Sequence, residues 1–210
     1  MIVNAVSEET IYTIGHSNHE IEDFLALLKR YQIDAVADVR SVPYSRWQPQ
    51  YNREDLTEAL KAHGIAYAFL GRELGARSDD PGCYENGRVK YRLLAKTPLF
   101  RSGIERIRDG RNRRRIVLMC AEKDPLDCHR TILVARELEG AGIHVTHILA
   151  NGHMEPHSVT MKRLFEQLGL PELDLFLTIE ELRDQAYATQ ENRIAYVDEK
   201  RATAGLEAQQ

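Results

Sequence analysis

The chain is poor in the residues that staple or span. Three cysteines stand among 210 residues, at 83, 120 and 128. An odd, low count excludes a disulfide framework and points to a reducing compartment. No long apolar run exists; Ile116–Met119 is typical of the longest and is far too short to cross a bilayer. The first residues, MIVNAVSEET, lack both a basic flank and an apolar core, so no secretory signal is expected. These absences make a cytoplasmic location and no membrane partner the expectation. Neither sign of charge dominates, and the formal net charge is only −4. Low-complexity segments and internal repeats are lacking as well.

What is present fits a globular domain: 43% hydrophobic and 29% charged residues. The charge is unevenly spread. Residues 166–210 hold ten acids and four bases, whereas Arg88 to Arg115 holds eleven bases and two acids, Glu105 and Asp109. A local basic stretch can meet phosphates even in an acidic protein, because screening confines its field to about 10 Å. A solvated helix face explains it equally well.

Strand and helix patterns alternate along the chain. TIYTIG at 10–15, DAVADV at 34–39, IAYAFL at 65–70, Ile116–Met119 and Val145–Leu149 read as strands. Between them lie amphipathic stretches: one with Ile21, Phe24, Leu25 and Leu28, one after an Asn52 cap, one over Tyr91–Arg108 broken at Thr97-Pro98, and one over Thr131–Leu138. Residues 71–88, with four glycines and a proline, read as a long loop. Ser158–Leu168 and Ile179–Ala188 read as further helices. The expected architecture is a mostly parallel five-stranded sheet with helices on both faces and extra C-terminal helices. It forms one domain over 1–188, followed by a polar tail over 189–210.

In such sheets a ligand sits outside the carboxyl ends of the strands. That rule selects three segments. In Gly15-His16-Ser17-Asn18-His19, free N–H groups at a helix start would form an anion pocket, with Ser17 or Asn18 capping. In Asp38–Asn52, a carboxylate ends an apolar strand, Arg40 follows, and Arg46 and Trp47 lie between Tyr44 and Tyr51. Aromatic faces interleaved with arginines suit a stacked base beside a phosphate. A structural Asp38–Arg40 ion pair is the plainer alternative. In Cys120–Thr131, Glu122, Asp124 and Asp127 crowd Cys120 with negative charge, which raises a thiol pKa. Cys128 is better placed, beside His129 and Arg130 near a helix start, although a small buried cysteine is equally ordinary.

Together these segments resemble the bacterial family defined by domain of unknown function 488 (DUF488). The resemblance rests on TIGHSN at 13–18, DVRSVPYSR at 38–46, LGRELGAR at 70–77, MCAEKDPLDCHR at 119–130 and HILANG at 147–152. It covers nearly the whole chain up to about residue 185. It implies a cytoplasmic α/β domain of this type, and it leaves the reaction open. A fainter similarity is to rhodanese-like domains, which also pair a DVR-type strand end with a cysteine-ending strand. The acidic loop after Cys120 departs from the N–H-rich, positive loop that sulfur transfer favours.

The leading expectation is an enzyme acting on a nucleotide unit, within DNA in the first instance, by N-glycosidic bond cleavage as in base excision. Asp38 or Glu122 would stabilise the oxocarbenium-like cation, and His16 or His129 would assist the departing base. Tyr44, Trp47 and Tyr51 would stack and Asn52 would read an edge. Arg40, Arg46 and Arg130 would hold phosphates, with Ser17 and Asn18 at the same strand end. Two alternatives stand beside it: sulfur transfer or redox chemistry through Cys120 or Cys128, and a non-catalytic nucleotide or nucleic-acid binding module. The leading expectation requires no metal and no cofactor; a mixed Cys/His zinc site through His129 stays open. Oligomeric state is not legible. The residues at the three strand ends should line one concave pocket.

Overall fold

The structure, a computed structural model, describes residues 10–171 and 173–202. The first nine residues, read above for a signal, and the end of the tail lie outside the described residues. Eight strands form: β1 (Ile11–Gly15), β2 (Ala35–Asp38), β3 (Ala66–Phe69), β4 (Tyr84–Glu85), β5 (Arg88–Val89), β6 (Ile116–Cys120), β7 (Val145–Ile148) and β8 (Met154–Pro156). The helices are α1 (Ile21–Arg30), α2 (Arg53–Ala62), α3 (Gly71–Leu74), α4 (Tyr91–Leu94), α5 (Pro98–Arg111), α6 (Arg136–Gly140), α7 (His157–Leu168) and α8 (Ile179–Ile194). A π-helical stretch, Arg130–Ala135, leads into α6.

The main sheet has six strands in the order β3-β2-β6-β1-β7-β8. The five strands expected from sequence are parallel to their neighbours, and β8 adds an antiparallel edge. That sixth strand escapes a periodicity reading because it has three residues, one of them proline. Proline is tolerated there because the strand is an edge. β4 and β5 form a small separate hairpin inside the stretch read as a loop. Its turn is Asn86-Gly87, both with positive φ, the pairing that a tight hairpin requires.

The central position of β1 and β6 follows from their composition. Every residue of both strands is buried, as expected of strands covered on two faces. Side chains alternate between the faces. Tyr12, Ile14, Val36, Val117 and Met119 join one core with Phe24, Leu28 and Leu56 of α1 and α2. Ile116, Leu118 and Cys120 join the other, with residues of α5, α8 and Arg130–Ala135. α5 begins where proline and the Thr97 hydroxyl permit: Thr97 Oγ1 accepts from Phe100 N. The break at Thr97-Pro98 therefore separates α4 from α5 as expected.

The C-terminal boundary differs from the expectation. α8 does not stop at Ala188 but continues to Ile194, with Gln190 and Glu191 buried. Gln190 Nε2 donates to the Leu126 carbonyl oxygen, and Val197 bridges to Arg88. The polar composition of this stretch concealed side chains that are tied down by hydrogen bonds. Among the described residues, no helix is long and apolar enough to cross a membrane.

Candidate functional site

The carboxyl ends of β1, β2 and β6 lie side by side. Register pairs Gly15 with Cys120 and Asp38 with Met119. Asp38 and Cys120 thus end neighbouring strands, but one register step apart, so alternation sends their side chains to opposite faces of the sheet. The offset separates the Asp38 and Cys120 side chains, while Arg40, bonded to Asp38, still shares one cavity with Cys120, Glu122 and His129.

On the α1–α2 face, Asp38 is fully buried. Arg40 Nη2 donates to its Oδ2 (2.6 Å), Arg40 Nε to its Oδ1 (2.9 Å), and the Tyr67 hydroxyl to Oδ2 (2.9 Å). Arg40 also donates to the Tyr51 carbonyl oxygen. His16 stacks on Tyr51 with ring centroids 4.1 Å apart. Its Nδ1 bonds the Ser17 carbonyl oxygen (2.9 Å), which makes Nδ1 the protonated nitrogen. Nε2 is then the acceptor for Arg40 Nη1, 3.3 Å away. Burial, followed by the Arg40 charge, pushes the His16 pKa down to about 4. At neutral pH His16 is an uncharged acceptor.

Several expected roles do not survive this geometry. The N–H groups of His16 and Ser17 are used by the carbonyls of Cys120 and Ala121, so these two are not free for an anion. Neither Ser17 nor Asn18 caps α1; the N-cap is Glu20, without a side-chain bond. Ser17 instead sits at φ 50° and bonds Asn18. Asn52 holds the N-cap position of α2, but its Oδ1 accepts from Ser45 N (2.7 Å) and shapes the loop. Trp47 is 76% exposed with Arg46 over its ring, Tyr44 is exposed and bound to Glu54, and Tyr51 is fully buried. These aromatics do not form one stacking slot.

On the opposite face, Cys120, Cys128 and His129 meet. Their ligating atoms all lie within 4.8 Å of one another. His129 Nδ1 is 3.7 Å from Cys120 Sγ and 3.9 Å from Cys128 Sγ. The other ring nitrogen, Nε2, donates to the Val39 carbonyl oxygen (3.0 Å), which leaves the Nδ1 lone pair aimed at the sulfurs. Glu122 Oε2 is 2.9 Å from Cys128 Sγ. Burial, and then Cys128, raise the Glu122 pKa. Burial opposes ionisation of Cys128, but the Cys120 hydrogen bond, the Arg130 charge and His129 outweigh it and lower that pKa. Burial and Cys128 raise the Cys120 thiol.

Arg130 explains much of this charge pattern. It is fully buried, donating to the Glu122 carbonyl (2.7 Å) and the Lys123 carbonyl (3.3 Å). It has no salt bridge to a carboxylate among the described residues, and its Nε lacks a partner. A buried guanidinium calls for a nearby anion, and the thiol cluster is where one would reside. Gly15 makes the packing possible. A Cβ there would lie 1.8 Å from the Glu122 carbonyl oxygen and 3.2 Å from Arg130 Nη1.

A cavity of about 290 Å³ opens onto this cluster. Cys120, Glu122, His129 and Arg40 line it, together with Arg77, Tyr91 and Tyr196. The last three were not singled out from sequence. Arg77 lies in LGRELGAR, so the motif itself was the signal. Tyr196 lay in a stretch read as tail, and Arg77 stacks on its ring at 4.6 Å. A second cavity of about 340 Å³, lined in part by His157, Met161, Phe165 and Tyr187, shares no residue with the first. Behind it a buried hydrogen-bonded row runs from Thr13 to His147 (2.7 Å), His157 (3.1 Å) and the Tyr187 hydroxyl (2.8 Å).

The fold and site define a mostly parallel α/β protein with a buried cysteine–histidine cluster at its strand ends. The model of the family described as domain of unknown function DUF488 matches residues 20–136, over half of the chain, and the chain belongs to that family. Comparisons with curated proteins and with solved structures find no match.

Proposed function

We propose that this protein is a cysteine-dependent enzyme of sulfur transfer or thiol redox, working through Cys120, Cys128 and His129. The observation that carries this reading is the placement of both sulfurs within 4 Å of one oriented His129 nitrogen. A nucleophile beside a base, itself oriented by a third group, is the general arrangement for nucleophilic catalysis. The cavity supplies access to Cys120, and Arg40 and Arg77 at its wall suit a substrate bearing negative charge.

The chemistry balances as a dithiol exchange. Cys120 Sγ gives its proton to His129 Nδ1 and attacks one sulfur of a disulfide or persulfide in the cavity. A Cys120–sulfur bond forms as the substrate S–S bond breaks, and the leaving thiolate takes the proton from His129. Cys128 then attacks Cys120 Sγ. The second half of the substrate departs with the proton that Cys128 shared with Glu122. The substrate gains two electrons, and the dithiol loses two in becoming a disulfide. An external thiol restores it.

N-glycosidic cleavage is less well supported by this geometry. Asp38 has both oxygens engaged and no exposed surface, and His16 is a neutral acceptor already in use. Nucleic-acid binding keeps one supporting observation, the outward-facing Arg46–Trp47 stack.

A single-turnover assay tests the thiol reading. Reduced protein mixed with a small chromogenic aromatic disulfide should release two thiol equivalents. Cys128→Ser should release one and remain trapped as a mixed disulfide on Cys120, seen by peptide mass spectrometry. Cys120→Ser should release none in the fast phase. An unchanged burst in Cys120→Ser would sink the proposal.

A further inference from the structure

The donors of the thiol cluster also satisfy the requirements of a metal centre. Two sulfurs and one imidazole nitrogen converge from a strand end and the residues before the Arg130–Ala135 helix, and a carboxylate oxygen of Glu122, in the loop between them, touches one of the sulfurs. With ordinary zinc bond lengths, a sulfur and a nitrogen on one tetrahedron stand about 3.5 Å apart. The two sulfur–nitrogen separations here are 3.7 and 3.9 Å. Glu122 Oε2 lies 2.9 Å from Cys128 Sγ but outside the set of three mutually close ligating atoms, so the carboxylate stands beside the metal position and the fourth place on the tetrahedron is left to solvent.

Two further features belong to metal sites rather than to cores. His129 donates Nε2–H to the Val39 carbonyl, which is the outer bond that fixes the tautomer of a ligating histidine. The charges close as well. Two thiolates and one carboxylate sum to −3, and a divalent ion with the buried, unpaired Arg130 supplies +3. A neutral total is what a buried site demands. Access exists, since Cys120, Glu122 and His129 all line the cavity. From sequence, no metal was the leading expectation, because the Cys120–Cys128 spacing does not match a zinc ribbon or finger, while a mixed Cys/His site through His129 stayed open.

We propose that Cys120, Cys128 and His129 form a site for one thiophilic divalent cation of the zinc type, with the Glu122 carboxylate as its neighbouring charge. The bound ion occupies the sulfur lone pairs that thiol chemistry needs, so metal loading and thiol turnover exclude each other, and the metal acts as a cap on the site. The metal site itself does not depend on the thiol reading, since binding is read without any substrate.

The test titrates reduced, metal-free protein with Co²⁺ alone. One Co²⁺ per chain should bind, with a thiolate-to-cobalt charge-transfer band and the visible bands of a tetrahedral centre. Zn²⁺ should displace it and abolish both. Cys120→Ser and Cys128→Ser should each weaken Co²⁺ binding and lose about half of the charge-transfer intensity per bound Co²⁺, since one thiolate of two remains, while keeping the parent thermal midpoint. X-ray absorption of the Zn²⁺-loaded parent protein should show two sulfurs and two lighter ligands, a readout that survives if either variant fails to fold. A shell of nitrogen and oxygen only, or no stoichiometric binding, would overturn the metal site. Zn²⁺ bound at two sulfurs with an undiminished thiol burst would keep the site and overturn its role as a cap. A metal centre with no thiol burst in the metal-free protein would leave the site standing while removing the proposed reaction.

Discussion

Arg40 grips Asp38 along one edge of its guanidinium, Nη2 to Oδ2 at 2.6 Å and Nε to Oδ1 at 2.9 Å, and neither side chain is more than 6% exposed. The DVR strand end is therefore a buried ion pair, closed further by Tyr67 and the Tyr51 carbonyl. Removing one partner leaves the other charged and buried. Asp38→Asn should lower the stability by about 3–5 kcal/mol, read from urea denaturation. A shift below about 1 kcal/mol, with turnover lost, would instead return Asp38 to the list of catalytic groups.

The buried histidines make the fold sensitive to acid. His16 and His157 both titrate near 4 in the folded chain, chiefly because of burial, against about 6.5 when unfolded. The unfolded chain therefore binds more protons between these values, and stability rises with pH across that window. It should be fully present above about pH 7 and fall progressively to pH 4. Arg40, Asp38 and Glu122 act on His16, and Arg183, His147 and Tyr187 face His157. His157→Gln should flatten the slope of the denaturation midpoint against pH. An unchanged slope in that variant would show that His157 is already charged in the native protein.

Trp47 is the only tryptophan and projects into solvent. Trp47→Ala should change stability by no more than about 0.5 kcal/mol and should leave the disulfide burst intact. In the parent protein its fluorescence should be readily quenched by iodide. Poor quenching would mean that the Arg46–Trp47 loop folds over something.

How much of this was legible without coordinates depends on the kind of force involved. The alternation of strand and helix patterns announced a mostly parallel sheet, and the strand-end rule then brought Gly15, Asp38 and Cys120 to one end of it. The face each side chain took was hidden, because it depends on a one-residue register between strands far apart in sequence. Asp38 and Cys120 therefore read as facing one another, whereas Asp38 reaches the Cys120 cavity only through Arg40. Tyr196 and Gln190 were hidden for a different reason: their stretch has a polar composition, and burial there comes from hydrogen bonding and ring stacking. Ser17 and Asn52 were assigned as caps from residue type alone, whereas the local backbone had already given their partners elsewhere.

The two sulfurs ride on different bodies. Cys120 is the last residue of the central strand β6, and Cys128 precedes a helix packed on the sheet. Their common neighbour, His129, is anchored by Val39 just beyond the end of a third element, β2. Because the three side chains sit on different supports, a shift between helix and sheet changes the gaps between sulfur and nitrogen. The cluster is in effect a strain gauge for the join between β2, β6 and the helix: its spacing records how those three elements sit on one another.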